Sequence, residues 1–214
     1  MGDHRLQSLF AALIIATGLF AVPGITLAKD AGDFLVRLRM ASLIPDTSGT
    51  KREIGGGAEV IQDTVPELDF TYFFTDNIAA ELILATTRHR ASVLHSSSGN
   101  VDLGRVSLLP PVLTLQYHFT PKAKVSPYLG AGLSYVMFYD VEKGSGLTGV
   151  EYEDSLGYAF QAGFDVAIDD RWSLNFDLKR IFVDTDITVN GGSINAPGVD
   201  LNPWVFSAGI GYRF

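Results

Sequence analysis

Apolar and polar residues alternate along most of the chain. Phe34, Val36, Leu38 and Met40 share one face, opposite Arg37 and Arg39. Leu68, Phe70, Tyr72 and Phe74 oppose Asp69 and Thr71, and Ile78, Ala80, Leu82 and Leu84 oppose Glu81. Leu113, Leu115, Tyr117 and Phe119 face away from Thr114, Gln116 and His118, as do Leu129, Ala131, Leu133 and Tyr135 from Tyr128, Gly130, Gly132 and Ser134. The longest run puts Leu156, Tyr158, Phe160, Ala162, Phe164, Val166 and Ile168 on one side, with Gln161, Gly163 and Asp165 on the other. Trp172 to Lys179 and Trp204 to Phe214 complete the set, with Asp177, Lys179 and Arg213 on their polar faces. A period of two predicts strands, eight in number.

The connections distinguish a membrane barrel from a soluble sandwich. Thr75–Asn77, Thr120–Lys124 and Asp169–Arg171 are tight turns, whereas Asp46–Pro66, Arg88–Arg105, Asp140–Glu153 and Thr185–Asn202 are long and polar. Alternating short and long connections between strands of spanning length predict an eight-stranded antiparallel transmembrane β-barrel of the bacterial outer membrane. Closure is required because lipid cannot satisfy an open sheet edge. Aromatics gather near the strand ends, as in interfacial girdles. Ahead of the barrel, Arg5 precedes an apolar run from Leu9 to Val22, then Pro23-Gly24 and the small-residue site Thr26-Leu27-Ala28. That order predicts a cleavable signal peptide over 1–28 and one barrel domain over 29–214, with both termini periplasmic.

Composition narrows the chemistry. The 214 residues carry a net charge of −8, which argues against binding nucleic acid. With no cysteine, disulfides, thiolate metal sites and thiol nucleophiles are excluded. His4, His89, His95 and His118 lack metal-ligand spacing, and there is no phosphate-binding glycine loop, so no metal and no cofactor are expected. His95 and Ser97 stand within a polar connection, where a catalytic base and nucleophile would lack positioning, so no enzymatic activity is expected.

The mature chain resembles the outer membrane protein W (OmpW) family almost end to end. The resemblance rests on Thr75-Asp76-Asn77-Ile78 with Glu81-Leu82, Leu109-Pro110-Pro111 leading to Tyr117 and Phe119, and Pro127-Tyr128-Leu129-Gly130-Ala131-Gly132. It continues through Asp154-Ser155 with Gly157, Gln161, Gly163 and Asp165, then Pro203-Trp204-Val205-Phe206 and Gly211-Tyr212-Arg213-Phe214. Asn202 departs from the Asp usual before Pro-Trp. The resemblance implies a narrow monomeric barrel that passes small hydrophobic compounds inward and releases them sideways through its wall. It also implies, for some members, roles as colicin or phage receptors or in stress.

Two sets of inward residues become candidates. A lumen charge network is expected among Arg37, Arg39, Asp69, Glu81, Asp165, Asp177 and Arg213, since buried charges must pair or stay wet. It would either line a passage or plug it. A ligand path is expected near the outer mouth at Leu43, Ile83, Leu109, Ile181 and Val183, with Lys179 a polar exception on the seventh strand. Pro110 and Pro111 either weaken the wall or merely start a strand. Expected partners are outer-membrane lipid and lipopolysaccharide, the latter near the basic Arg88–Arg105 connection. Hydrophobic solutes are expected too, as is the assembly machinery that reads a last strand ending in Phe214. The rival reading is a sealed structural or receptor barrel acting through its loops.

Overall fold

A computed structural model of the protein describes residues 29–44, 63–96, 99–144, 149–189, 194–200 and 202–214. The expected signal peptide lies outside these residues. The described residues form thirteen strands: β1 (Phe34–Ile44), β2 (Asp63–Phe73), β3 (Ile78–Ala85), β4 (Thr87–Ser96), β5 (Gly99–Leu109), β6 (Val112–His118), β7 (Val125–Lys143), β8 (Val150–Tyr152), β9 (Ser155–Ala167), β10 (Trp172–Phe182), β11 (Asp184–Val189), β12 (Ile194–Asp200) and β13 (Trp204–Arg213). Eight of them form an antiparallel wall in the order β1-β2-β3-β6-β7-β9-β10-β13, closed where β13 pairs with β1. These are the eight alternating runs of the sequence.

The long connections contain more strand than alternation revealed. β4 and β5 form a hairpin over much of the segment read as a polar connection, β7 continues to Lys143, and β8, β11 and β12 make a small separate sheet. Ladder bonds belong to the backbone, so strands without a lipid-facing side lack the apolar alternation that exposes a wall strand. Tight turns, Lys29 and Phe214 share the opposite rim. There Lys29 N–H donates to the Pro121 carbonyl, and Phe214 N–H to that of Phe34.

Burial is inverted relative to a soluble domain. Leu156, Leu115, Leu38 and Leu133 point outward with 65%, 59%, 58% and 57% of their surface exposed, while Arg37, Asp69, Glu81 and Asn175 inside are 0% exposed. An apolar belt of this extent is tolerable only against lipid. Edge-to-face aromatic pairs sit at the turn-side rim, Tyr72 on Phe74, Tyr117 on Phe119 and Trp172 on Tyr212. Phe138 packs against the interior core and stacks on Tyr152.

The interior is filled closely enough that the inward glycines are not open space. A Cβ on Gly163 would come within 2.5 Å of the Tyr128 ring, and one on Gly209 would strike the Arg39 backbone. Glycine at these two positions lets a large inward side chain lie flat against the facing strand.

Candidate functional site

Register assembles the lower lumen. Pairing of β1 with β2 sets Arg37 opposite Asp69 and Arg39 opposite Glu67; β2 with β3 sets Thr71 opposite Glu81; β9 with β10 sets Asp165 opposite Asn175. Because side chains on one face of paired strands stand within reach of one another, the charges meet inside. Arg37 Nη1 donates to Asp69 at 3.0 Å, Glu81 at 2.9 Å and Thr71 at 2.8 Å. Its Nη2 and Nε hold both oxygens of Asp165 at 3.0 and 3.2 Å. Arg39 Nε lies 2.7 Å from Glu67 and 3.0 Å from Asp69, and its Nη1 donates to Asn175 at 3.0 Å. Lys179 Nζ pairs with Asp177 at 2.8 Å and Glu67 at 3.3 Å.

Neutral groups complete the layer. Gln116 and Gln161 both donate to Glu81 Oε2, at 2.7 and 2.6 Å, and the Tyr128 hydroxyl donates to Asp177 at 2.7 Å. Below them, Lys29 Nζ reaches Asp165 at 2.5 Å and Ser126 and His118 at 3.2 Å each. The His118 ring sits between Phe73 and Tyr128, 4.9 Å from each centroid. Water reaches none of Arg37, Asp69, Glu81, His118 or Asn175, so the barrel is filled at this height. At the turn-side rim, Lys122 Nζ pairs with Asp76 at 2.8 Å and holds that carboxyl below the usual range.

Above this layer the inner face of the wall changes character at one level. Going up the strands, Arg39 gives way to Ala41, Glu67 to Val65, Glu81 to Ile83 and Thr114 to Val112. Likewise Ser134 gives way to Val136, Gln161 to Ala159, Lys179 to Ile181 and Ser207 to Val205. These apolar residues and Val183 form one continuous buried cluster, against which Leu43, Ala85, Leu108 and Phe138 pack. The lumen is thus an apolar layer, here termed the cup, whose residues are themselves buried against one another; it stands on the charged floor and lies toward the long connections.

Most sequence-predicted residues fall into one of these two regions. Arg37, Arg39, Asp69, Glu81, Asp165 and Asp177 form the floor, while Leu43, Ile83, Ile181 and Val183 lie in the cup. Three placements differ from expectation. Arg213 is outside the network, at the rim, pairing with Asp33 at 3.1 Å and donating to the Asp170 carbonyl. Lys179 belongs to the floor, because two carboxylates lie within its reach. Leu109 was expected inward, but Leu108 packs against the cup: the register from Val112↔Ser134 to Leu109↔Met137 crosses the prolines without a bulge, so Leu109 keeps the outward parity of Leu113. Glu67, Lys29 and Tyr128 were not expected in the network. The side chains of His95 and Ser97 lie outside the described residues.

The wall beside the cup has a local weakness. β3 pairs with β6 up to Ile83↔Val112, and β4 pairs with β5 from Thr87↔Leu108; no ladder pair is described between. Backbone groups point alternately to either neighbour. His118 N–H donates toward β3, so Pro110, eight residues earlier, has its nitrogen on that side too. Phe74 N–H bonds Ile78 of β3, which gives Pro66 the same direction from β2. Neither proline has an N–H to give. Both face Ala85 and Thr86, where β3 ends and β4 has not begun.

A family model described as the OmpW family matches residues 30–214. The outer membrane protein W of Escherichia coli is 36% identical over 98% of this chain and 100% of its own length. An outer-membrane protein of Sinorhizobium fredii, y4mB, is 40% identical over 84% of this chain and 79% of that one. Among solved structures, the outer membrane protein OprG of Pseudomonas aeruginosa superposes with a TM-score of 0.77 at 31% identity, covering 89% of this chain and 99% of that one.

Proposed function

The chain belongs to the OmpW family of bacterial outer-membrane barrels, and from the divided lumen we propose that it is a passive channel for small hydrophobic molecules, with no catalytic step. In this reading the long connections and the cup face outward, and both termini face the periplasm. The carrying observation is the level change: on all eight strands the inner face turns from polar to apolar at one height. An apolar solute entering the cup leaves water, worth about 25 cal/mol per Å² of surface, and meets a floor it could cross only by breaking buried ion pairs. The way out is sideways, between Pro66 and Pro110, which offer no ladder N–H to the Ala85–Thr86 backbone, and the outer leaflet offers an equally apolar phase.

The test is uptake of a small hydrophobic solute into liposomes bearing the wild-type barrel or Ile83→Arg. The charged cup is expected to lose at least ten-fold in rate with the fold intact. Equal rates for both barrels would defeat the proposal. No uptake by a folded wild type would favour a sealed barrel acting through its surface.

A further inference from the structure

One member of the charged floor comes from no strand. Lys29 is separated from β1 by Asp30 to Asp33, and these residues form a strap across the turn-side mouth. The strap backbone is tied at three places. Lys29 N–H donates to the Pro121 carbonyl at 3.1 Å, Ala31 N–H to the Asp76 carboxylate at 3.2 Å and Gly32 N–H to the Phe73 carbonyl at 2.8 Å. Gly32 turns the chain toward β1 at a φ of 96°, a conformation that glycine adopts without strain. Outside, the strap makes ion pairs at the rim, Asp30 with Lys122 at 3.5 Å and Asp33 with Arg213 at 3.1 Å, and such pairs hold little.

Inside the mouth the strap ends in a complete ammonium cradle. An ammonium has three N–H groups, and three acceptors face Lys29 Nζ: Asp165 Oδ2 at 2.5 Å, Ser126 Oγ at 3.2 Å and His118 Nδ1 at 3.2 Å. With Nδ1 accepting, His118 Nε2 carries the proton and donates to the Gln116 side-chain oxygen at 3.0 Å. The remaining side is the Phe73 ring, its centroid 5.6 Å from the ammonium. Phe73, His118, Ser126 and Asp165 are buried and stand on β2, β6, β7 and β9, so the wall and not the strap holds the cradle in shape. Lys29 also supplies charge that the wall lacks. Among the described residues, buried Glu67, Asp69, Glu81, Asp165 and Asp177 face only Arg37, Arg39 and Lys179 from the strands. Beside Lys29 lies a rim cavity of about 30 Å³, lined also by Phe73, Asp170 and Arg213, with room for one water-sized group.

We propose that Phe73, His118, Ser126 and Asp165 form a binding site for a primary ammonium ion, and that Lys29 is its tethered occupant. The strap is then an exchangeable latch on the turn-side mouth: a free alkylammonium that takes the cradle lifts residues 29–33 off the barrel. Donor count sets the ligand class, because methylammonium presents three N–H groups and tetramethylammonium carries the same charge with none. Tethering gives Lys29 an effective concentration of roughly millimolar order, which a free amine must exceed.

The experiment places a nitroxide on the strap through Asp30→Cys, a single thiol in this cysteine-free chain. The labelled full barrel, in phosphatidylcholine bicelles, is titrated with methylammonium chloride, and with tetramethylammonium chloride at equal ionic strength. Methylammonium should narrow the nitroxide spectrum saturably, and tetramethylammonium should leave it broad. With Lys29→Gly added, the strap should be mobile without amine. Methylammonium should then raise the urea midpoint of that barrel at concentrations at least ten-fold below those that release the parent strap, an effect weakened several-fold by Ser126→Ala. A parent strap that methylammonium does not loosen would overturn the exchange. A Lys29→Gly barrel that methylammonium leaves unstabilised, or two salts acting alike, would overturn the site itself. Should Lys29→Gly not fold, the parent titration decides both points.

Discussion

The floor and the cup are built on the same eight strands, from the same inward positions and behind the same apolar outer wall, yet their energetics differ. The floor is held by groups that need one another. Arg37 touches three carboxylates, and each of those is shared with another donor. Taking such charges out of water costs several kcal/mol per ion, offset only when the set is complete. The cup is held by non-directional contacts among Val, Ile and Ala, where one methylene more or less changes little. A narrow barrel can therefore divide its lumen into a layer of mutually dependent charges and a layer of non-directional apolar contacts by inward residue choice alone.

The largest expected effect breaks the floor. Arg37→Met leaves Asp69, Glu81 and Asp165 facing one another with one cation fewer, and should destabilise the barrel by about 3–5 kcal/mol. Ile181→Val in the cup, a comparable change in position, should cost about 0.5–1.5 kcal/mol. Urea unfolding of both variants in phospholipid vesicles checks the contrast. Similar midpoints would mean that the network is wet and only weakly coupled.

How far this division was legible beforehand depends on how each residue announces itself. Alternation assigns a face, so the eight wall strands, the inward charges of Arg37, Asp69 and Asp165, and the apolar Ile83 and Ile181 could be read directly. It does not assign height or partner. Lys179 looked like a flaw in an apolar path because its carboxylates, Asp177 and Glu67, lie on different strands whose register no single run reveals. Glu67 was hidden by Pro66, which normally argues against a strand. β2 tolerates it because the missing N–H faces Thr86, between the end of β3 and the start of β4. Lys29 precedes every periodic segment and reaches the floor from outside the pattern. Leu109 went astray where a double proline suggested a fresh start, although the strand carries its parity across.

A smaller change moves the boundary between the two regions. Lys179→Met removes the top cation of the floor, but Asp177 keeps the Tyr128 hydroxyl and the Gln161 amide, and Glu67 keeps Arg39. The expected cost is about 1–3 kcal/mol, below that of Arg37→Met because each carboxylate retains a donor. Hydrophobic-solute uptake should be kept, since the change deepens the cup by one apolar layer. A loss as large as that of Ile83→Arg would show that Lys179 acts in the path itself.

The smallest expected shift in stability is also the one whose sign separates wall from lumen. Pro110→Ala and Pro66→Ala each return an N–H directed at the Ala85–Thr86 stretch. Each new ladder bond is worth about 0.5–1.5 kcal/mol when made, so the double variant should unfold at slightly higher urea than the parent. If solute leaves through this stretch, the same variant should carry it several-fold more slowly, because the strands must part where they are now pinned. Floor and cup are untouched, so stability and uptake should move in opposite directions, unlike the floor variants, where stability falls first. A barrel that gains stability and transports as before would place the exit elsewhere in the wall, and one that gains neither would mean that the restored donors find no acceptor across the gap.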